Sequence, residues 1–180
     1  MLNEFDVLQD ASRRLTKSGI PHMLTGSLAM NYYSQPRMTR DIDLVVEAQP
    51  KDIDGIISSF EPDYYIERHA VSRAIAHERA FNIIHNEAFI KVDCIIRKAS
   101  EYRLLEFARR REVTIEGFRV WIVSKEDLII SKLYWARDSH SELQLRDVKN
   151  LLASGYDVDY VQHWTRTLEL DKLLEECRND

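Results

Sequence analysis

The stretch GSLAMNYYSQPRMTRDIDLVVE, residues 26–47, places two aspartates at the start of an aliphatic run that is typical of a buried strand. Side chains alternate between the two faces of a strand, so Asp41 and Asp43 share one face while Ile42 and Leu44 point into the core. Two carboxylates on one face repel each other, and burial adds a desolvation cost. A divalent cation relieves both, and ligation by oxygen alone favours Mg²⁺ or Mn²⁺ over zinc.

The same stretch opens on Gly26 and Ser27, which follow a predicted strand and precede a predicted short helix. Glycine permits a left-handed or crowded backbone, and the free amides at a helix start suit a phosphate group. The serine hydroxyl adds one more donor. A Gly-Ser pair by itself is often only a turn with an N-cap, so the pair indicates a phosphate site only in combination with the aspartates.

A third aspartate, Asp93, lies in the predicted strand FIKVDCII, residues 89–96, on the same face as Lys91 and Ile95. It could be a salt-bridge partner of Lys91 or of an arginine. If its strand is a neighbour of the first one, Asp93 could join the aspartate pair and bind one or two metals. Two metals stabilise the attacking and leaving oxygens of an in-line phosphoryl displacement. The combination predicts a phosphate-and-metal site.

Length and composition are those of one ordinary globular domain, with 180 residues of which 44% are hydrophobic and 31% charged. No apolar run approaches the roughly 18 residues that a membrane span needs. We expect no signal peptide and no membrane partner. Cys94 and Cys177 lie in no metal-ligand or redox spacing, which predicts a reducing cytoplasm.

The formal net charge of −5 is concentrated in residues 157–180, which hold seven acidic and three basic residues. A chain-wide cationic surface for nucleic acid is therefore not expected. The triplet Arg109, Arg110 and Arg111 could be a local basic patch, although a solvated helix end is the simpler interpretation. Trp121, Trp135 and Trp164 are expected to be packing residues.

Hydrophobic periodicity predicts an α/β (α+β) fold, a small mixed sheet flanked by helices. We predict a catalytic core over residues 1–123 and a helical C-terminal region over residues 124–180 packed on that core. The predicted helices are residues 3–17, 28–35, 50–60, 101–111, 124–137, 141–153, 157–167 and 169–178. The predicted strands are residues 20–27, 41–47, 63–69, 81–86 and 89–97, with a hairpin over 113–123 turning on Glu116 and Gly117.

Gly26-Ser27, thirteen residues, then Asp41-Ile42-Asp43-Leu44 resembles the signature of the DNA polymerase beta-like nucleotidyltransferase superfamily, and Asp93 matches its third carboxylate. The segment MTRDIDLVVE is similar to the AbiEii-type nucleotidyltransferases, the toxin components of abortive-infection toxin–antitoxin systems. Lys132, four residues and Arg137 resemble the Lys-x4-Arg motif of that family. Asp147 stands where its Asp-x-x-Asp motif begins, and Asn150 replaces the second acid of that motif.

The resemblance implies a role for each matching residue. Gly26 and Ser27 would hold the phosphates of a nucleoside triphosphate, and Asp41 and Asp43 would bind Mg²⁺ or Mn²⁺. Asp93 would complete the metal site and help to activate an acceptor hydroxyl. Lys132, Arg137 and Asp147 complete the implied nucleotide-binding set. Arg37 and Arg40 could also meet phosphate, but arginines beside a strand more often pair with surface acids.

The predicted activity is transfer of a nucleoside monophosphate from a triphosphate to an acceptor hydroxyl, with release of pyrophosphate. The acceptor could be RNA, including tRNA, a protein or a small molecule, and an AbiE-like toxin would have a cognate antitoxin as partner. Two alternatives stay open. One is an antibiotic-type enzyme that modifies a small hydroxylated compound, and the other is a non-catalytic binding or antitoxin module with the same fold.

Overall fold

A seven-stranded mixed sheet organises the chain in the computed structural model, which describes residues 2–179. The strand order is β3-β4-β5-β2-β1-β7-β6. Strand β2 is antiparallel to β1 and parallel to β5, and β1 is parallel to β7. The strands are β1 His22–Thr25, β2 Ile42–Val46, β3 Tyr64–Tyr65, β4 Ala80–His85, β5 Lys91–Ile96, β6 Arg111–Ile115 and β7 Phe118–Ile122.

Helices precede, connect and follow these strands, and four of them come consecutively after β7. The helices are α1 Glu4–Lys17, α2 Gly26–Tyr33, α3 Ile53–Phe60, α4 Arg68–Ala76, α5 Glu101–Ala108, α6 Lys125–Ser139, α7 Glu142–Leu152, α8 Val158–Thr167 and α9 Asp171–Asn179, and a 3₁₀ turn spans Pro50–Asp52. The predicted fold class is confirmed. Helices α6 and α7 of the C-terminal region both pack on α2. The domain division at residue 124 stays a prediction.

Strands β2 and β5 have one face that is wholly apolar. In β2, Ile42, Leu44 and Val46 are buried, and in β5, Val92 and Cys94 are buried beside them. Burying each large aliphatic side chain contributes about 1.5–3 kcal/mol, which fixes the face that these strands turn to the core. The alternate residues are therefore presented on the opposite face of the sheet, where α6 lies.

Two predicted elements are wrong in extent. The strand predicted over residues 63–69 is reduced to β3, because Val71, Ala74 and Ile75 form a buried helical stripe and α4 already begins at Arg68. The helix predicted over residues 101–111 ends at Ala108. Its last predicted residue, Arg111, instead pairs with Ile122 at the start of the β6–β7 hairpin.

The interpretation of the arginine triplet as a solvated helix end is wrong. Arg109 Nε donates to Asp127 Oδ2 at 3.0 Å, and the Arg110 guanidinium lies 4.2 Å from the centroid of the Phe107 ring. Arg111 donates to the Tyr33 hydroxyl at 3.2 Å. All three side chains therefore join elements of the fold. In the part of the chain that is described, no helix is long and apolar enough to cross a bilayer.

Candidate active site

The register of the sheet brings the three predicted aspartates to one place. Strands β2 and β5 run parallel with Asp43 opposite Asp93, and on the other side of β2 Asp43 faces Thr25 of β1. Asp41 immediately precedes β2, so it lies on the same face two residues before Asp43. Asp43 and Asp93 are half-buried, while the side chain of Asp41 is 62% exposed. The carboxylates therefore form an acidic edge that opens to solvent at Asp41.

Gly26 is pressed directly against this acidic edge. Its φ is +66°, and a Cβ at this position would lie 2.0 Å from Asp43 Oδ2 and 2.7 Å from Asp43 Cγ. Both the left-handed backbone and the absence of a side chain are therefore required here. Because α2 begins at Gly26, the free amides of its first turn lie next to the Asp43 carboxylate.

The Asp43 carboxylate is electrostatically unfavourable as it stands. Burial, together with the negative charges of Asp93 and Asp41, raises the pKa of Asp43 to about 6, and Lys132 and Lys91 offset this only in part. An added cation would relieve the repulsion, so the acidic edge is suited to one.

Lys91 already supplies one positive charge to the acidic edge. Its Nζ lies 2.8 Å from Asp93 Oδ2 and 3.7 Å from Asp41 Oδ1. The hydrogen bond to Asp93 raises the pKa of Lys91, since the charged ammonium is the form that donates. The salt bridge between Lys91 and Asp93 that the sequence left open is therefore present.

The carboxylates only partly fit a metal site in this arrangement. Within the described range, no three or more His, Cys, Asp or Glu side chains are grouped so that they could hold a metal ion. Asp41 and Asp43 do line a common cavity and offer the oxygen donors that Mg²⁺ and Mn²⁺ prefer. Asp93 is not part of that lining, and one of its oxygens is engaged by Lys91. Of the three carboxylates, Asp41 and Asp43 are therefore the two that line the cavity.

A cavity of about 340 Å³ connects the acidic edge to the start of α2 and to helices α6 and α7. We call it the phosphate cavity. Gly26 and Ser27 line one side, and Lys132 and Gln144 line the opposite side. Arg37 also lines it and donates from Nη2 to Ser27 Oγ at 2.6 Å. The cavity therefore combines carboxylates at one end with two cationic side chains and a helix start.

Asp147 lies behind these cations and has no exposed side-chain surface. It accepts hydrogen bonds from Lys132 Nζ at 2.8 Å and from Arg37 Nε and Nη2 at 3.1 and 3.0 Å. Burial alone would raise the pKa of Asp147, but the hydrogen bonds from Arg37 and Lys132 outweigh burial and lower it. Asp147 does not line the phosphate cavity, and its geometry is that of a residue that positions Lys132 and Arg37.

The structure does not bring Arg137 or Asn150 to the phosphate cavity. Arg137 donates to Asp138 Oδ1 at 2.8 Å and to the Leu168 carbonyl at 3.3 Å, and it stacks over Tyr134 at 4.2 Å. Asp138 and Tyr134 belong to α6 itself, and the contact with Leu168 joins α6 to the segment between α8 and α9. Asn150, which replaces an acid of the resembled motif, is exposed on α7.

Sequence reasoning gave too little weight to Arg37 and missed Gln144 and Trp135, which also line the cavity. The role of Arg37 depends on a partner 110 residues away, so no local pattern could reveal it. Trp135 carried a usable signal, because it lies three residues after Lys132 and such pairs share one face of a helix. The expectation that Trp135 and Trp121 are packing residues is wrong, since their exposed fractions are 57% and 40%.

Residues 3–173 match the family model described as "Nucleotidyltransferase of unknown function (DUF6036)". The chain belongs to this nucleotidyltransferase family. The match supports the resemblance at the level of the superfamily, and the AbiEii-type resemblance stays a hypothesis. No curated protein matches the sequence.

Solved structures with the same fold are distant in sequence. A nucleotidyltransferase-like antigenic protein from Paracoccidioides brasiliensis is 18% identical with a TM-score of 0.58, over 96% of this chain and 92% of that one. The lincosamide antibiotic adenylyltransferase LnuA, lincomycin-bound, is 15% identical with a TM-score of 0.56, over 84% and 95%. ANT(2″)-Ia in complex with adenylyl-2″-tobramycin is 13% identical with a TM-score of 0.54, over 96% and 95%. At these identities the comparison establishes the nucleotidyltransferase fold.

Proposed function

We propose that the protein transfers a nucleoside monophosphate from a nucleoside triphosphate to the hydroxyl of an acceptor and releases pyrophosphate. The observation that carries the proposal is the contact of Gly26 with Asp43, which presses a helix start against a carboxylate pair. The contact involves a partly buried carboxylate whose charge is not fully compensated, which costs free energy. It is useful when phosphate and a cation must be held side by side.

The phosphates bind in the phosphate cavity. The amides at the start of α2 and the hydroxyl of Ser27 donate to phosphate oxygens, and Lys132 and Arg37 neutralise their charge. Asp147 keeps both cations in place through its hydrogen bonds. Arg37 can present its fork to a phosphate when it leaves Ser27, which it contacts in this structure.

Asp41 and Asp43 hold Mg²⁺ or Mn²⁺ in this proposal. When bound, such an ion polarises phosphate oxygens and stabilises the charge that develops during transfer. The fit rests on the oxygen donors of the two residues and on the raised pKa of Asp43, which marks a carboxylate in need of a counter-charge.

Asp93 accepts the proton of the acceptor hydroxyl. One of its oxygens is held by Lys91 at 2.8 Å, which fixes the carboxylate and leaves the second oxygen for the proton. Lys91 is therefore a positioning residue for Asp93 in this proposal.

The acceptor can be RNA or tRNA, a protein side chain or a small molecule. The small-molecule reading gains from two solved structures of the same fold, the lincosamide adenylyltransferase and ANT(2″)-Ia with its adenylylated tobramycin. A toxin of an AbiE-like system, with a cognate antitoxin as partner, remains our hypothesis for the biological role.

Calorimetric titration of each nucleoside triphosphate, with and without Mg²⁺, tests the proposal. We expect Mg²⁺-dependent binding to the wild type and its loss in Asp41→Ala. Asp54→Ala is the matched control, because Asp54 is a highly exposed aspartate paired only with Arg68 on the surface. If no triphosphate binds the wild type with Mg²⁺, or if Asp41→Ala binds normally, the site assignment is wrong.

A further inference from the structure

A second, more apolar cavity of about 170 Å³ continues from the phosphate cavity along the same face of the sheet. We call it the apolar groove. Its walls include Val45 of β2, Ile95 of β5 and Tyr134 of α6. Thr25, Ile95, Ser131 and Trp135 line both cavities, so the two are compartments of one cleft.

The groove lies where the rest of a bound nucleotide must go. Val45 follows Asp43 by two residues and Ile95 follows Asp93 by two, so both lie on the face of the carboxylates, about 7 Å further along the strands. A ribose bridges a distance of this size between the phosphates and the base of a nucleotide. In the opposite direction the strands end at Asp41, whose side chain is open to solvent.

The chemistry of the walls favours a flat, largely apolar group. Trp135 exposes more than half of its surface at the junction of the two cavities. An exposed indole ring offers a stacking surface for a heteroaromatic ring. The Glu106 carboxylate is already satisfied, because Arg103 donates to it at 2.8 Å and Ser131 at 2.5 Å.

A polycationic or polyhydroxylated acceptor suits the groove less well. Its charged wall residues are Arg97, Lys98 and Arg103 against Glu106 and Asp138, so there is no excess of acid to hold amines. A polyol would need many free polar partners, and buried polar groups without partners are costly. A nucleobase requires neither an excess of acidic residues nor many free polar partners.

We infer that the apolar groove is the nucleobase subsite, with Trp135 stacking on the base. This inference rests on the proposed function, since it assigns the second half of the same substrate. The inorganic tripolyphosphate ion carries the phosphates without a base. It therefore separates the groove from the phosphate cavity in a binding experiment.

The test is titration of ATP, GTP, CTP, UTP and tripolyphosphate, each with Mg²⁺, into wild type, Trp135→Ala and Val45→Phe. We expect both variants to weaken nucleotide binding at least about fivefold, the lower range of base–aromatic stacking. Val45→Phe should leave tripolyphosphate binding unchanged, and because Trp135 also lines the phosphate cavity, Trp135→Ala should weaken nucleotide binding more than tripolyphosphate binding. Val45→Phe fills the groove and Val45 does not line the phosphate cavity. Trp121→Ala is the matched control, an exposed tryptophan on β7 that lines neither cavity, and it should bind like wild type.

Three results contradict the inference in distinguishable ways. Unchanged nucleotide affinity in both variants places the base elsewhere and overturns the inference while leaving the proposed function intact. Equal weakening of nucleotide and tripolyphosphate means that the groove residues only support the phosphate cavity, which also overturns it. If the wild type binds neither ligand, the proposed function itself is wrong and the base assignment falls with it.

Discussion

Asp43 and Asp127 are two carboxylates of the same fold with opposite surroundings. Asp127 has no exposed side-chain surface, and four side chains donate to it: Tyr160 at 2.7 Å, Tyr102 at 3.2 Å, Arg109 at 3.0 Å and Ser124 at 2.6 Å. Asp43 faces two other carboxylates and a glycine instead. The chain supplies donors that satisfy the Asp127 carboxylate, but it does not fully compensate the charge of the Asp43 carboxylate.

This difference separates a structural acid from a site for a ligand. A buried charge that is saturated by donors stabilises the elements that supply them, here α5, α6 and α8. A charge that the chain leaves uncompensated costs free energy in the absence of a partner. The comparison therefore predicts that a substitution at Asp127 mainly lowers stability, while one at Asp43 mainly lowers activity.

The largest effect is expected for Asp127→Ala. Four donors, including the Arg109 guanidinium, lose their acceptor, so we expect the free energy of unfolding to fall by about 3 kcal/mol or more. Urea unfolding followed by circular dichroism measures it. Asp54→Ala removes an exposed ion pair and should cost at most about 1 kcal/mol. Equal costs for the two variants would mean that the Asp127 network is not stabilising.

Asp43→Asn should show the opposite of the pattern expected for Asp127→Ala, with a loss of activity and no loss of stability. In the presence of an acceptor that supports turnover by the wild type, we expect pyrophosphate release from Mg²⁺-bound triphosphate to fall about a hundredfold or more, because the transition-state charge loses its counter-ion. The free energy of unfolding should stay level or rise, since repulsion from Asp41 and Asp93 is removed. The two quantities are measured on the same preparation. Normal release in this variant would refute the mechanism.

Lys91→Met sharpens the comparison by removing the ammonium that contacts Asp93 and Asp41 at the acidic edge. A half-exposed ion pair contributes about 0–1 kcal/mol, so Mn²⁺ binding should tighten up to about fivefold once the competing ammonium is gone. Titration followed by electron paramagnetic resonance gives the affinity. Lys51→Met, at an exposed lysine of the 3₁₀ turn, is the control. Weaker Mn²⁺ binding in Lys91→Met would show that Lys91 assists the ion instead of competing with it.

The smallest effect concerns His22, a saturated group like Asp127 but neutral. Its Nδ1 donates to the Ile20 carbonyl at 3.0 Å and its Nε2 accepts from Ser12 Oγ at 2.7 Å. Burial lowers the pKa of His22, and the hydrogen bond to Ile20 offsets this only in part. The unfolded chain therefore takes up a proton near pH 6.5 while the folded protein resists until lower pH.

It follows that the contribution of His22 to stability is level above about pH 7 and falls as the pH drops through 6.5, by less than about 1.4 kcal/mol per pH unit. The raised pKa of Asp43, about 6, acts in the opposite direction, because the folded protein then binds that proton before the unfolded chain does. Unfolding free energies between pH 5 and pH 8 measure this slope. We expect His22→Gln to lose less stability than the wild type, or to gain some, as the pH falls over the acid part of that range. An unchanged slope would assign the pH dependence to other groups.

The local parts of the fold could be predicted because they depend on short periods. Alternation placed Asp41 and Asp43 on one face and Ile42 on the other, and the hairpin turn at Glu116 and Gly117 followed from its residues. Ser124 caps α6 through the amide of Asp127, at the start of the helix predicted over residues 124–137. These features depend only on residues that are close together in the sequence.

The rest depends on pairing across the chain, which local patterns do not determine. Asp93 lies beside Asp43 only because β5 enters the sheet next to β2, and no periodicity specifies a strand order. Asp147 was predicted to bind nucleotide, but its role depends on the distant Arg37. The two aromatic residues of β3 were enough to suggest a strand, and the helical stripe that follows them was overlooked.

The contact of Gly26 with Asp43 also constrains how such a chain can vary. Any side chain at position 26 collides with the carboxylate, and only a shorter residue at position 43 would make room for it. A shorter residue at position 43 would remove the Asp43 carboxylate, and this carboxylate is the reason that glycine is required at position 26. We therefore expect a saturation mutagenesis library to contain no pair of substitutions at positions 26 and 43 that retains activity. Neither position can then change, alone or together with the other, without loss of function.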